Sequence, residues 1–161
     1  MKTPAFDIRP ARSAADMDFT REMFREYQQW LGVDLCFQGF DAELAGLPGK
    51  YAPPGGEIYI ARSQKQVAGV VAVRSLPEIS PDVSEMKRLY VREAWRGLRL
   101  GRQLADLVVG FARKAGYRKM VLDTLPQLVA AKAMYADMGF KEVAPYYENP
   151  LPGVVYMEKI L

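Results

Sequence analysis

The stretch that decides the fold runs from Glu85 to Gln103, and reads Glu85-Met-Lys-Arg-Leu-Tyr-Val-Arg-Glu-Ala-Trp-Arg-Gly-Leu-Arg-Leu-Gly-Arg-Gln103. An apolar strand segment, 89–91, leads into a turn that contains Arg96, Gly97 and Gly101, and an amphipathic helix follows at once. This order places free backbone N–H groups and a helix N-terminus beside clustered arginines, as in a pyrophosphate site. The glycines allow an anion to approach the backbone closely. The stretch therefore predicts a bound, negatively charged cofactor.

Other loops of this kind have different spacings. A Walker A loop is excluded because no Gly-Lys-Ser/Thr follows the turn, and the dinucleotide fingerprint G-x-G-x-x-G is excluded by the spacing of Gly97 and Gly101. A strand-to-helix turn that is merely basic remains an alternative, because such glycine-containing connections are common.

Two blocks of sequence resemble a known family. Arg96-Gly97-Leu98-Arg99-Leu100-Gly101 resembles the Arg/Gln-x-x-Gly-x-Gly/Ala signature with which the GNAT superfamily of N-acetyltransferases grips the pyrophosphate of coenzyme A. Residues 131–140, Ala-Lys-Ala-Met-Tyr-Ala-Asp-Met-Gly-Phe, resemble its Ala-x-x-Leu-Tyr-x-x-x-Gly-Phe element. The blocks occur in the expected order with a strand between them, and the resemblance covers roughly residues 57 to 161.

The resemblance implies a set of cofactor contacts. Acetyl-CoA is the implied cosubstrate, and the backbone of 89–91 is expected to pair with its pantetheine arm like an added strand. Arg99 stands where the signature has its middle glycine, and a guanidinium there can bond a phosphate oxygen. Leu128 stands where many relatives carry an asparagine that bonds the arm, so backbone groups are expected to hold it. The implied cofactor-binding residues are Leu89, Tyr90, Val91, Arg96, Gly97, Leu98, Arg99, Leu100, Gly101 and Arg102.

Two residues are candidates for proton transfer. Glu85, at the start of the central strand, matches the place where some family members keep a general base, and a base helps because an amine must be neutral to attack. Tyr135 aligns with the tyrosine that resembles the family's general acid. The alternatives are a strand-end carboxylate paired near Lys87, and an aromatic residue of the core. Weaker candidates for the base lie in adjacent loops, at Glu78, Asp82 and Glu93.

Composition narrows the function classes. The chain has 161 residues, half of them hydrophobic and a quarter charged, which predicts one soluble domain over 1–161 without a membrane segment. It has no histidine and one cysteine, Cys36, which excludes Ser/His and Cys/His catalysis and an ordinary zinc site. The lone cysteine favours a reducing cytoplasm and is predicted to be buried as a small hydrophobe.

The basic charge is local. The net charge is +3, and six of the 22 lysines and arginines fall in the proposed phosphate segment. Because there is no interleaved aromatic and basic face, a nucleic-acid partner is not expected.

The patterns predict an α/β fold. Strands are expected at 5–9, 57–62, 66–75, 84–91, 119–123, 140–144 and 153–160, and the helices at 13–31, 40–47, from the glycine turn to Gly116, and 127–138. The strands at 57–62 and 66–75 are expected to form a hairpin through Ser63-Gln64-Lys65. The second long helix is expected to bury Leu100, Leu104, Leu107, Val108 and Phe111. This order fits the GNAT-like mixed, mostly antiparallel sheet with helices on both faces that the resemblance implies.

The sequence thus favours a cytoplasmic, acetyl-CoA-dependent N-acetyltransferase that needs no metal. Its expected acceptor is the primary amine of a small molecule, attacking directly in a ternary complex. The aromatic segment 24–50 and the loop 145–150 are expected to wall the acceptor site. A non-catalytic acyl-CoA sensor or partner module is the alternative, and a homodimer is left open.

Overall fold

A single seven-stranded sheet runs through the protein in the order β1-β2-β3-β4-β5-β7-β6. The computed structural model describes residues 5–161; the first four residues of the proposed domain lie outside this range. The strands are β1 (Asp7–Pro10), β2 (Glu57–Ser63), β3 (Gln66–Ser75), β4 (Val83–Val91), β5 (Lys119–Thr124), β6 (Lys141–Val143) and β7 (Val155–Ile160). Among these described strands, β4 and β5 pair in parallel and all other neighbours pair antiparallel. The prediction of a mixed, mostly antiparallel sheet is confirmed.

Four helices cover the two faces of this sheet. They are α1 (Ala14–Leu31), α2 (Phe40–Ala45), α3 (Leu100–Lys114) and α4 (Val129–Asp137). Strand residues alternate between the faces, so Val70 and Ala72 of β3 pack in the cluster that holds α1 and α2. Val71 and Val73 pack in the opposite cluster with α3 and α4. Within residues 5–161, no helix is long and apolar enough to cross a bilayer.

Local sequence signals set several of these boundaries. Ser13 and Asp16 form a capping box at the start of α1, and β2 and β3 join through the expected hairpin, with Ser63 opposite Gln66. Two predictions of burial were wrong. Leu107 is 37% exposed on the outer side of α3, and Cys36 is exposed because its neighbour Leu35 takes the buried position.

A bulge in β4 determines where its charged side chains point. Arg88 has a left-handed φ of +61°, and three steps along β4 match two along β3, because Tyr90 faces Val70 while Lys87 faces Ala72. A bulge of this kind re-aims the side chains that follow it. Lys87 and Arg88 consequently both contact residues of the segment 36–45.

The ion pair between Arg88 and Glu43 ties α2 to this bulge. The guanidinium makes two bonds to the carboxylate, of 3.0 and 3.2 Å, and the two side chains are 3% and 4% exposed. Burial alone raises the pKa of Glu43, but Arg88, helped by Lys50, lowers it below its usual value. The pair is therefore fully ionised and shielded from water.

We expect Glu43→Gln to lower the free energy of unfolding by about 3–5 kcal/mol, since it leaves the Arg88 charge buried without a partner. Chemical denaturation measures the change. Glu78→Gln is the matched control, because Glu78 pairs with Arg74 but is 64% exposed, and exposed pairs contribute about 0–1 kcal/mol. Equal, small losses in both variants would contradict a structural role for the buried pair.

Candidate functional site

The site lies where β4 and β5 separate. Their parallel ladder consists of three residue pairs and ends with Glu85 opposite Val121. Beyond it, β4 continues beside β3 as far as Val91, and β5 continues beside β7 as far as Thr124. A cavity of about 680 Å³ opens in this gap. The edge of β4 that faces β5 is therefore free at 89–91. That this edge pairs with a bound extended group stays a prediction.

The N-terminus of α3 opens into the same cavity. Its N-cap, Arg99, has a left-handed φ of +63°; no side chain caps the helix, and its first turn holds no acidic residue. The first backbone N–H groups of a helix have no partner within it, and the helix dipole makes this end positive. Both features suit an anion.

Of the three arginines at this end of α3, Arg96 and Arg99 lack acidic partners among residues 5–161. Arg96 donates to the Val91 carbonyl at 2.8 Å and stacks on Trp30, 4.6 Å from the ring centre. Among the described residues, no carboxylate oxygen lies within 4 Å of Arg96 or Arg99. Arg102 differs, because it pairs with Asp137 at 2.7 Å and with Asp106.

Nine of the ten cofactor residues expected from the sequence line the cavity, and Leu98 does not. Those that do are Leu89, Tyr90, Val91, Arg96, Gly97, Arg99, Leu100, Gly101 and Arg102. Leu128 also lines it. A Cβ built on Gly101 would lie 3.9 Å from both Met134 and Val91, an ordinary contact, so packing within the protein does not require this glycine.

Tyr135 stands on the opposite wall, on α4. Its ring packs against Phe140 at 5.7 Å and the residue is 7% exposed. Its hydroxyl makes no hydrogen bond with any other residue of 5–161, and Tyr135 lines the cavity. Burial raises the pKa of Tyr135 above its usual value, so the phenol keeps its proton at neutral pH.

A polar network closes the end of the cavity nearest the ladder. Lys87 donates to the Gln38 side-chain oxygen at 3.0 Å, and the Gln38 amide donates to the Tyr147 hydroxyl at 3.2 Å. Tyr147 donates to Oδ2 of Asp123, and Asn149 donates to the Tyr147 hydroxyl at 2.8 Å. All of these residues except Tyr147 line the cavity. The network joins β4, β5 and two loops around one chamber.

Glu85 lies beside this chamber and outside the cavity lining. It is 3% exposed, accepts a bond of 2.6 Å from the Tyr146 hydroxyl, and lies 3.6 Å from Arg74. Its assignment as the base stays a prediction.

Sequence reasoning missed Lys87, Gln38, Asp123 and Asn149. A signal existed for two of them. Lys87 is a charge in the middle of a strand next to buried positions, where lysine is rarely found without a role. Asp123 is an acid at the C-terminal end of a strand, an end at which open sheets often bind ligands. Gln38 ends a short 3₁₀ helix, Cys36–Gln38, and Asn149 lies in a loop; the approach of both segments to the sheet leaves no pattern in the sequence.

Comparison with known proteins places these features in a family. The profile of the Acetyltransferase (GNAT) family matches residues 12–140. An uncharacterised N-acetyltransferase from Schizosaccharomyces pombe is 44% identical over 158 residues, which are 98% of this chain and 96% of the relative.

Solved structures share the fold. A GNAT-family acetyltransferase from Staphylococcus aureus superposes with a TM-score of 0.79 at 19% identity, over 97% of this chain and 99% of its own. A putative acetyltransferase from Salmonella typhimurium, solved with its cofactor acetyl-CoA, gives 0.74 at 21% identity, over 97% and 94%. The family profile matches most of the chain, and the free edge of β4 and the uncapped α3 agree with it; this chain therefore belongs to the GNAT family of acetyltransferases.

Proposed function

We propose that the protein transfers the acetyl group of acetyl-CoA to the primary amine of a small molecule, by direct attack with both substrates bound. The observation that carries the proposal is that one continuous cavity is lined both by the turn before α3 and by Lys87 and Asp123. Acetyl-CoA and the amine can therefore be bound side by side in this cavity.

The turn before α3 has the donors that the cofactor requires. Arg96, Arg99 and the first backbone N–H groups of α3 would hold the pyrophosphate, and 89–91 would pair with the pantetheine arm. Acetyl-CoA, when bound, supplies an activated acetyl thioester. The Salmonella structure, similar in fold, contains this cofactor.

Direct transfer is favoured by the residues that line the cavity. A covalent acetyl-protein step would need an activated nucleophile. The chain has no histidine, and Cys36 lies outside the cavity lining. A small acceptor is favoured because Gln38, from the segment before α2, and Asn149, from the loop before β7, both bond to the Tyr147 hydroxyl, which narrows this end of the cavity.

The walls supply groups for both proton transfers. Tyr135 holds its proton at the phenolic oxygen on the cavity wall and is proposed as the acid. For the base, Glu85 is the candidate from the sequence, and Asp123 is the candidate from the structure. We favour Asp123, because it lines the cavity and its Oδ1 has no hydrogen-bond partner among residues 5–161.

Addition of a suitable amine to the protein with acetyl-CoA should release free thiol, which a colorimetric thiol assay over a panel of primary amines detects. Tyr135→Phe keeps the ring and its contact with Phe140 but removes the proton. We expect turnover to fall by roughly 10²–10⁴-fold, the range for loss of a general acid.

The assay separates catalysis from mere binding. A sensor would bind acetyl-CoA, seen as a raised melting temperature, yet release no thiol with any amine. Near-normal turnover in Tyr135→Phe would leave the tyrosine as a packing residue only.

Gly101→Ala should stabilise the protein and weaken cofactor binding at the same time. Alanine is favoured over glycine in a helix by up to about 1 kcal/mol, and the added methyl group meets the protein only at 3.9 Å. A phosphate approaching this backbone would be displaced, and we expect about a tenfold loss of coenzyme A affinity in calorimetry, equivalent to about 1.4 kcal/mol.

Gly110→Ala is the matched control for this experiment. Gly110 lies on the same helix, outside the cavity lining, and an added Cβ there meets nothing within 4 Å. It should stabilise the protein without changing coenzyme A affinity. Unchanged affinity in both variants would remove Gly101 from the binding site.

The pH–rate profile identifies the base. A lysine-like amine has a pKa of about 10.4 and needs help to lose its proton near pH 7. We expect Asp123→Asn to depress the rate most at neutral pH and to recover as pH rises, when free amine becomes abundant. Glu85→Gln should run parallel to the wild type; the opposite pattern would restore Glu85 as the base, and two parallel profiles would leave the task to water.

A further inference from the structure

Lys87 is a buried ammonium group that forms no ion pair within residues 5–161. The residue is 8% exposed, and its one hydrogen bond within residues 5–161 goes to the neutral oxygen of Gln38 at 3.0 Å. No carboxylate of that part of the chain lies within 4 Å of its Nζ. Burial lowers the pKa of Lys87 below its usual value. Buried charges are normally paired, so the described part of the chain leaves this one open to a bound anion.

The two acids whose charges act on Lys87, Glu85 and Asp123, form no ion pair with it and bond to Tyr146 and Tyr147; the acid next to the neighbouring Arg88 is also occupied. Glu43 makes its two bonds to Arg88, and Glu85 lies 3.6 Å from Arg74. For Lys87 to pair with Glu43 or Glu85, it would have to take the place of an arginine and break that arginine's buried ion pair. The unpaired positive charge therefore stays on Lys87.

The ammonium is also held in place. Gln38 accepts its bond and in turn donates to Tyr147, whose hydroxyl is fixed by Asn149 and by Oδ2 of Asp123. An ammonium group has three donors, and two of those on Lys87 have no acceptor within residues 5–161. Such fixed donors bind an anion without first having to be ordered.

The position of Lys87 separates it from the cofactor's phosphates. It faces Ala72, three residues along β3 from the Gly69 that faces Val91; the two positions are therefore about 10 Å apart at roughly 3.3 Å per residue, and the turn before α3 lies beyond Val91. It is placed beside the end of the β4–β5 ladder, with Asp123 on the facing strand. This end holds one cation with free donors and one acid with a free oxygen.

We infer that the acceptor is an amino carboxylate, whose carboxylate binds the ammonium of Lys87 while its amine faces Asp123. The inference rests on the proposed transfer to a small-molecule amine and specifies its acceptor. A carboxylate fits better than a phosphate, because only one cation is free here; Arg88 is occupied by Glu43, and a dianion would need more. Lys87 selects the substrate, and Gln38 positions Lys87.

The test pairs each standard L-amino acid, β-alanine and 4-aminobutyrate with its own carboxamide. The carboxamide keeps the side chain and the amine but loses the negative charge, and its less basic amine biases the comparison against the inference. Thiol release gives the ratio of kcat/KM within each pair, and calorimetry on the coenzyme A-loaded protein measures binding of the N-acetylated products.

At least one carboxylate should exceed its carboxamide by about tenfold to a hundredfold, as expected for one charge-assisted bond. Lys87→Met keeps the length of the stem but removes the charge, and this ratio should fall toward one. Lys65→Met, at the exposed hairpin between β2 and β3, is the control and should keep the ratio. Gln38→Leu should lower it in part.

The outcomes separate recognition of a carboxylate by Lys87 from the acetyltransferase activity on which that inference rests. Turnover without any advantage for carboxylates overturns the inference and leaves the acetyltransferase proposal intact. Binding of an N-acetyl amino acid that depends on Lys87, without thiol release from any amine, supports the recognition and overturns catalysis. If Lys87→Met is unfolded or weakens coenzyme A itself, with the ratio preserved in Gln38→Leu, Lys87 is structural and the inference fails.

Discussion

The end of the β4–β5 ladder after Glu85 is the constraint on which the remaining structure depends. Two parallel strands that stayed paired to their ends would leave no room between them, and the free edge of β4 would be consumed by β5. The bulge at Arg88 and its buried pair with Glu43 hold β4 against α2, away from β5. An unsatisfied backbone edge in a partly buried gap is costly, and a ligand that adds a strand recovers that free energy.

The chemistry at the closed end follows from how a few charges are shared. Two adjacent tyrosines bond to different acids: Tyr146 donates to Glu85, and Tyr147 donates to Asp123. Only the second acid borders the cavity. The same division leaves Lys87 with an amide for a partner instead of a carboxylate. If Lys87 paired directly with Asp123, neither the ammonium nor the carboxylate could bind a substrate group. Gln38 and Tyr147 lie between the two side chains, so each keeps atoms that can contact a ligand.

The sequence predicted the elements better than it predicted which side chains meet. Capping at Ser13 and the phosphate turn depend on neighbours within a few residues, so their patterns are visible in the chain. The position of Glu85 depends on Tyr146, which arrives from a loop 61 residues away. The bulge at Arg88 escaped prediction for a different reason, because a left-handed arginine inside a strand has no sequence signature and is stabilised by its tertiary partner Glu43.

Arg99 extends this reasoning to the phosphate turn. The family signature has a glycine there, and the structure explains the preference, because the position is left-handed with φ +63°. That conformation costs an L-residue roughly 1–2 kcal/mol. The backbone geometry is therefore kept at Arg99, although the glycine that adopts it without this cost is absent. Arginine in return adds a guanidinium with no acidic partner in the described chain, beside a helix end that nothing caps. Conformational strain that only a bound anion offsets is typical of a binding site. The unpaired ammonium of Lys87, at the other end of the cavity, likewise destabilises the free protein and is stabilised by a bound anion.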